Sequence, residues 1–321
     1  MFRRLFLAAI SAAAALHALP ASAQEFPKKQ PIRLVVSSSA GGLTDTMGRI
    51  YAEFLQRRLG QAVVVENRVG ASGAIGADFV AKAAPDGHTI FLAGAELAVL
   101  PSVRSNLPYK FDEFTYLVRP FMLYPLMLAG PKFPVNSVQE LVANMKANPG
   151  RVRYGSTGVG AIVHMGSAMF EGAAGVKGVH VPFPGIAPIY QEMLAGNIDF
   201  VVGGSNPFPE GLKVLASAGS RRSPVYPNVP TLDELGVKGA GWDVWFGFIA
   251  PPSLPKPIAD RLIAELTAIG KDPEAIAKFQ TATKLSPEAA PLTGEEFRRR
   301  AVEDNRGWKT TAEREKVVVQ Q

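Results

Sequence analysis

The chain has no cysteine, few histidines and no long apolar run beyond its first residues, and each shortage removes a class of function. Without cysteine there is no disulfide, no thiolate nucleophile, no thiolate metal site and no residue to carry a lipid anchor, so stability must come from a core that 321 residues are long enough to build. Of the four histidines only His88, His164 and His180 lie beyond residue 23. None has metal-ligand spacing with the others or with nearby acids, so neither a metal nor a cofactor is expected. No Gly-x-Ser-x-Gly elbow is present. Past residue 23 nothing approaches the roughly 18 uninterrupted apolar residues of a membrane span. Charge of one sign is also scarce: Lys and Arg number 34 against 28 Asp and Glu, for a formal charge of +6. The basic residues fall in short groups at Arg57-Arg58, Arg221-Arg222 and Arg298 to Arg300. These read as solvated helix faces, not as the aromatic-interleaved stripe that nucleic acid requires, and no nucleic-acid partner is expected.

What is present begins with a leader. Arg3 and Arg4, an apolar stretch from Leu5 to Leu19, and Ala21-Ser22-Ala23 form the three regions of a secretory signal peptide over residues 1–23. This predicts a soluble, exported protein of the periplasm starting at Gln24. The rest alternates β-branched runs with helical periodicity, as a mostly parallel sheet covered on both faces requires. Ile32 to Val36 is a strand, and Met47, Ile50, Phe54 and Leu55 mark a helix ending before Gly60. Ala62 to Glu66 and Thr89 to Ala93 are further strands, with a helix at Ala74 to Ala84. Strand candidates follow around Tyr116 and Leu126, then a helix opened by Ser137, a strand at Val152 to Tyr154 and a helix at Ala161 to Gly172. Strands are expected again at Gly178 to Val181, Ile198 to Val202, Leu212 to Ala216 and Trp242 to Ile249. Between them lies a helix at Ala187 to Ala195, and helices close the chain at Pro257 to Gly270 and Thr293 to Glu313. The length predicts two domains: 24–126 with 248–321, and an inserted 127–247.

Two strand-to-helix loops carry the chemistry. Ser37-Ser38-Ser39-Ala40-Gly41-Gly42-Leu43-Thr44-Asp45 follows the first strand, and Gly155-Ser156-Thr157-Gly158-Val159-Gly160 enters a helix that holds His164. Such loops aim unpaired backbone N–H groups and the positive end of a helix dipole at an anion, and hydroxyls add donors. Nucleotide motifs do not fit. Gly155 and Gly160 have P-loop spacing, but Ala161 and Ile162 stand where Lys and Ser/Thr are needed, and Val163 occupies the third glycine position of the dinucleotide fingerprint. A Ser156–His164 pair leaves one enzymatic alternative, a secreted serine hydrolase.

Three further stretches surround these loops: Val63-Val64-Val65-Glu66-Asn67-Arg68 with Gly70 to Gly76, Ala81-Lys82-Ala83-Ala84-Pro85-Asp86-Gly87, and Val179-His180-Val181-Pro182. With Asn148-Pro149-Gly150, Gly196-Asn197-Ile198-Asp199 and Arg221 to Thr231, they make the chain resemble the periplasmic receptors of tripartite tricarboxylate transporters, the Bug-type or TctC-like solute-binding proteins. The resemblance implies an α/β, type II-like two-domain binding protein that is no enzyme, acts as a monomer, and closes on a ligand held by backbone amides, hydroxyls and waters. Its partners would be a small carboxylate and the subunits of a membrane transporter; ligand sensing for a signalling partner is the other receptor role. Carried over, Ser38, Ser39, Ala40, Gly41, Gly42, Thr44 and Asp45 would hold one carboxylate. Ser156, Thr157, Gly158, Val159, Gly160, Ala161 and His164 would hold the other. Ala93, Gly94, Ala95 and Glu96 would line the first lobe, and Phe183, Gly185, Asp199 and Gly203, Gly204 and Ser205 the second. The chain departs from the family at Ser37-Ser38, at Ala161-Ile162-Val163 and at Phe183-Pro184-Gly185. If those residues face the cleft, the pocket is apolar and suits an aromatic dicarboxylate such as terephthalate; if Ile162 and Val163 face their own core, an aliphatic dicarboxylate or an amino acid stands equally.

Overall fold

Strand β1, Ile32–Val36, shows why a parallel sheet forms: four of its five residues are buried, as in a strand covered on both faces. In the computed structural model, which describes residues 26–27, 30–205 and 207–319, β1 pairs in parallel with β2 (Val63–Asn67) on one side and with β3 (Thr89–Gly94) on the other. The expected signal peptide lies outside the described residues. Alternation along β1 feeds two cores: Ile32, Leu34 and Val36 face one apolar cluster and Val35 the other. Between β1 and β2 runs α1 (Leu43–Leu59), which buries Met47, Tyr51, Phe54 and Leu55 and stops at Gly60, whose left-handed φ of 64° accommodates the chain's exit. Helix α2 (Ala74–Ala81) precedes β3, and α3 (Glu96–Val103) follows it.

The first sheet is completed by β4 (Thr115–Leu123), after which the chain changes sheet and forms β5 (Leu126–Ala129). In the second lobe Ser137 caps α4 (Val138–Ala147) by accepting the Glu140 N–H. Then come β6 (Arg153–Ser156), α5 (Ile162–Ala174), β7 (Val179–Pro182), α6 (Ile186–Ala195), β8 (Phe200–Gly204) and β9 (Lys213–Ser217). The chain returns as β10 (Val244–Ala250), antiparallel between β3 and β4, and ends through α7 (Lys256–Ile269), α8 (Pro273–Thr283), the short β11 (Leu292–Thr293) and α9 (Gly294–Glu315). Strand orders are β11-β4-β10-β3-β1-β2 and β7-β6-β8-β5-β9, two mixed sheets flanked by helices. Val244 to Gly247, assigned to the inserted domain from the sequence, pair with the first sheet through the Val244–Leu123 and Phe246–Gly94 registers. Two helices have no counterpart in the sequence reading. Pro101 inside α3 reads as a breaker, and α8 is opened by Asp272, whose carboxylate accepts the Glu274 and Ala275 N–H groups.

Both lobes share one apolar cluster, in which Val35 and Phe91 of the first lobe join Ile162, Val163 and Trp242 of the second through α3 and α9. At about 1.5–3 kcal/mol for each large side chain removed from water, this shared cluster ties the two lobes together. Trp308 of α9 meets Trp242 edge-on with ring centroids 5.7 Å apart. No helix among the described residues is long and apolar enough to cross a membrane.

Candidate functional site

The two lobes repeat one topology. In each, a first strand (β1 or β6) has the next strand (β2 or β7) on one side and the one after that (β3 or β8) on the other. Chain direction therefore reverses across the sheet at β1 and at β6, and the loops leaving their carboxyl ends splay apart into a crevice. Ligand sites of open α/β sheets sit at such switch points. The loops concerned are 37–42 and 157–161, the two selected from sequence.

Between them lies a cavity of about 310 Å³, lined in the first lobe by Ser37, Ser38, Thr44, Val69, Gly70, Ser72, Gly73, Gly94, Glu96 and Phe246, and in the second by Thr157, Ala161 and Ile162. Its polar edge is made of hydroxyls and of two helix starts, α1 after Gly42 and α5 after Ala161; neither N-cap residue caps its helix with a side chain, although Ser38 Oγ takes the Asp45 N–H in the first turn of α1. Positive helix ends facing a cleft stabilise negative charge there by about 0.3–1 kcal/mol each. A water-sized recess of about 10 Å³ opens off the first lobe, lined by Ser37, Ser72, Gly94 and Glu96 among apolar side chains.

The first loop is braced from below. Asp45, 1% exposed, accepts the Gly41 N–H at 2.9 Å and pairs with Arg49 and with the Asn67 amide, while its own N–H donates to Ser38 Oγ at 3.0 Å. The Arg49 guanidinium holds its carboxyl down to about 2 against the opposing effect of burial. Asp45 shapes the turn and does not line the cavity. Ser39, Ala40 and Gly41 are exposed at the crown of the loop, and Gly42 ends it by donating its N–H to Ser39 O.

The second loop is braced by an aromatic stack. His164 Nδ1 accepts the Gly160 N–H at 3.0 Å, and its ring lies 3.9 Å from that of His180, nearly parallel, with Tyr154 stacked beyond. Burial first, with His180 and Lys177 adding to it, holds the His164 imidazole down to about 4; burial also lowers His180. Gly160 needs its left-handed φ of 73°, and a Cβ there would lie 2.3 Å from Val319 Cγ2. Ser156 Oγ contacts His180 Nε2 at 2.5 Å and not His164, and Ser156 is fully buried. The Ser156–His164 pair that the hydrolase alternative requires is therefore not formed.

Of the residues chosen from sequence, Ser38, Thr44, Gly94, Thr157 and Ala161 meet around the one cavity, together with Glu96. Ala93 and Ala95 are buried in the core on either side of Gly94. Gly158 and Val159 belong to the second loop outside the lining, Val159 being 54% exposed. Phe183 packs partly buried against the core and donates its N–H to Ser156 O. Gly204 sits against Leu128, and the Ser205 N–H donates to Tyr190 Oη, both away from the cavity. Asp199 lies at the opposite end of β8, where it binds Arg153 through both carboxylate oxygens. Val163 turns inward against Gly203, whereas Ile162 reaches the cleft wall. The sequence reading missed Val69, Gly70, Ser72, Gly73 and Phe246 as lining residues. The first four form a turn in which Ala71 and Ser72 hold φ of 49° and 55°, uncommon for residues with a side chain. The run of glycines there was the available signal; Phe246 is brought in by its register opposite Gly94.

Comparison with known proteins agrees with this geometry. The model of the tripartite tricarboxylate transporter family receptor matches residues 47–303. Protein BugT of Bordetella pertussis is 36% identical over 259 residues, spanning 78% of this chain and 79% of that protein. The periplasmic binding protein BugD superposes with a TM-score of 0.76 at 30% identity, covering 91% of this chain and 100% of that one. MatC of Rhodopseudomonas palustris, solved with bound malate, superposes at 0.73 with 26% identity, covering 89% of this chain and 99% of that one.

Proposed function

The chain belongs to the tripartite tricarboxylate transporter receptor family, and from that premise we propose that it captures a small carboxylate in the cleft between its lobes and presents it to a membrane transporter. The observation that carries the reading is the pairing of the loops at 37–42 and 157–161 across a cavity of about 310 Å³, each at a switch point and each leading into a helix start. Three or four hydrogen bonds to a carboxylate, at about 1.5–3 kcal/mol each, go against the cost of immobilising the ligand, and burial of the ligand's apolar body supplies the rest of the roughly 8 kcal/mol of a micromolar complex. No arginine is needed for this, and none lines the cleft.

Val69, Ile162 and Phe246 give the cavity apolar walls, which supports a ligand with an apolar body. An aromatic dicarboxylate such as terephthalate has that body. Malate, bound by MatC, shows that a receptor of this fold takes a small dicarboxylate. The Ser156–His180 contact in the second lobe is buried and outside the cavity lining, which supports binding over catalysis.

A thermal-shift screen of protein lacking residues 1–23 against aliphatic, aromatic and amino carboxylates tests the proposal. Ligand at 100 times Kd adds about 2.7 kcal/mol, which raises the melting temperature by several degrees. A melting temperature unmoved by every carboxylate would sink the receptor reading.

A further inference from the structure

One residue lining the cleft is charged, and its sign is wrong for an anion site: Glu96. No Lys, Arg or His lines either the cleft or the recess beneath it. The carboxyl folds back over the backbone of Gly94, so that a Cβ at that position would lie 2.2 Å from Glu96 Oε2. Gly94 thus makes the room that the carboxyl occupies. In the water-sized recess Glu96 is joined by the hydroxyl residues Ser37 and Ser72, and the remainder of the wall is apolar or backbone. Ser72 is held there in the left-handed region, at φ 55° and ψ 37°. Such a conformation is uncommon for a residue with a side chain.

We infer that the ligand is a zwitterion, an amino carboxylate whose carboxylate meets the two loop-to-helix turns and whose ammonium is received by Glu96 with Ser37 and Ser72. The inference rests on the receptor reading and narrows it. An ammonium has three donors and no acceptor, and the recess offers it one carboxylate and two hydroxyl oxygens. A second ligand carboxylate in the same place would face Glu96 with no cation lining the site to compensate, and like charges at close range discriminate strongly. Burial already raises the Glu96 carboxyl above the usual carboxylate range, and a cation seated beside it reverses that cost.

The test is titration calorimetry with pairs in which an aminomethyl group, CH2–NH3+, replaces one carboxylate: 4-aminobutanoate against succinate, 6-aminohexanoate against adipate, and 4-(aminomethyl)benzoate against terephthalate. In at least one pair the wild-type protein should bind the amino carboxylate tenfold or more tightly than its partner. Glu96→Gln should erase that preference, weakening the amino carboxylate at least tenfold while the dicarboxylate gains. Gly94→Ala, which displaces the carboxyl and keeps its charge, should erase it too. Melting curves of both variants report whether they are folded. Tighter binding of dicarboxylates by the wild type, or a preference unchanged by Glu96→Gln in a folded variant, overturns the inference and leaves the receptor reading standing. Failure of every carboxylate to bind removes both.

Discussion

Acidification should weaken the turn that follows β6, and the structure supplies the size of the effect. His164 is 8% exposed, and its Nδ1 accepts the Gly160 N–H, so the folded state requires a neutral imidazole protonated at Nε2. Protonation converts that acceptor into a donor facing a donor and puts a charge against the His180 ring 3.9 Å away. The folded pKa is accordingly about 4 against an ordinary 6.5. Because the folded value is the lower one, the unfolded chain binds more protons between the two, and stability is complete above pH 6.5 and lost as the pH falls toward 4. At about 1.4 kcal/mol per pH unit the loss amounts to about 3 kcal/mol, a large part of the roughly 5–15 kcal/mol that holds a domain. Urea unfolding followed by circular dichroism at pH 7, 5.5 and 4.5 reads this directly when wild type is compared with His164→Asn, whose amide oxygen can still accept the Gly160 N–H but does not titrate. The wild type should lead at pH 7 and forfeit about 2.5 kcal/mol of that lead by pH 4.5. A difference between the two proteins that stays constant with pH would refute the reasoning.

Other perturbations follow from the same contacts. Gly160→Ala combines a left-handed φ with a Cβ driven into Val319, and should cost about 1–3 kcal/mol in urea unfolding; adding Val319→Ala should restore part of the loss, and no restoration would place the cost elsewhere. Asp45→Ala leaves the Gly41 N–H without its acceptor and the Asn67 amide with Ser38 O alone, and should cost about 2 kcal/mol, discounted for the half-exposed Arg49, while raising the Kd of any carboxylate ligand in titration calorimetry. Trp308→Ala removes a buried ring shared with Trp242 of the other lobe and should cost about 3–5 kcal/mol; loss of a single cooperative melting transition would show the two lobes uncoupling.

What could be read from the sequence was what is local. The start of α1 and the start of α5 announce themselves through glycines and hydroxyls adjacent in the chain, and the apolar period of each helix follows within a few residues, so both loops that border the cavity could be picked out without any tertiary information. Roles set by distant partners were not. Asp45 looks like a ligand contact until Arg49 and Asn67 are seen to absorb it, and Asp199 until Arg153 does the same at the far end of the sheet. His164 was paired with Ser156 on sequence proximity, whereas the fold gives Ser156 to His180, 24 residues on in the chain, and gives His164 to a backbone N–H. Phe246 enters the cleft wall only through its register with Gly94, and the second chain crossing moved for the same reason.

Glu96 lies between these cases. It was placed among the lining residues with Ala93, Gly94 and Ala95 through the family resemblance, and nothing in the chain said that it would be the one charge in the cavity. That property belongs to the whole set of neighbours, because the nearby cations are engaged outside the cleft: Arg49 by Asp45, Arg68 by Glu66 and Lys82 by Asp78. A cleft that keeps its arginines paired elsewhere and admits one carboxylate has a field opposite to that of its two helix starts. A ligand of uniform charge satisfies one end at the expense of the other. A ligand with charge of both signs satisfies both, and the spacing between its charges is then set by the distance from the loop-to-helix turns to the recess beside Gly94.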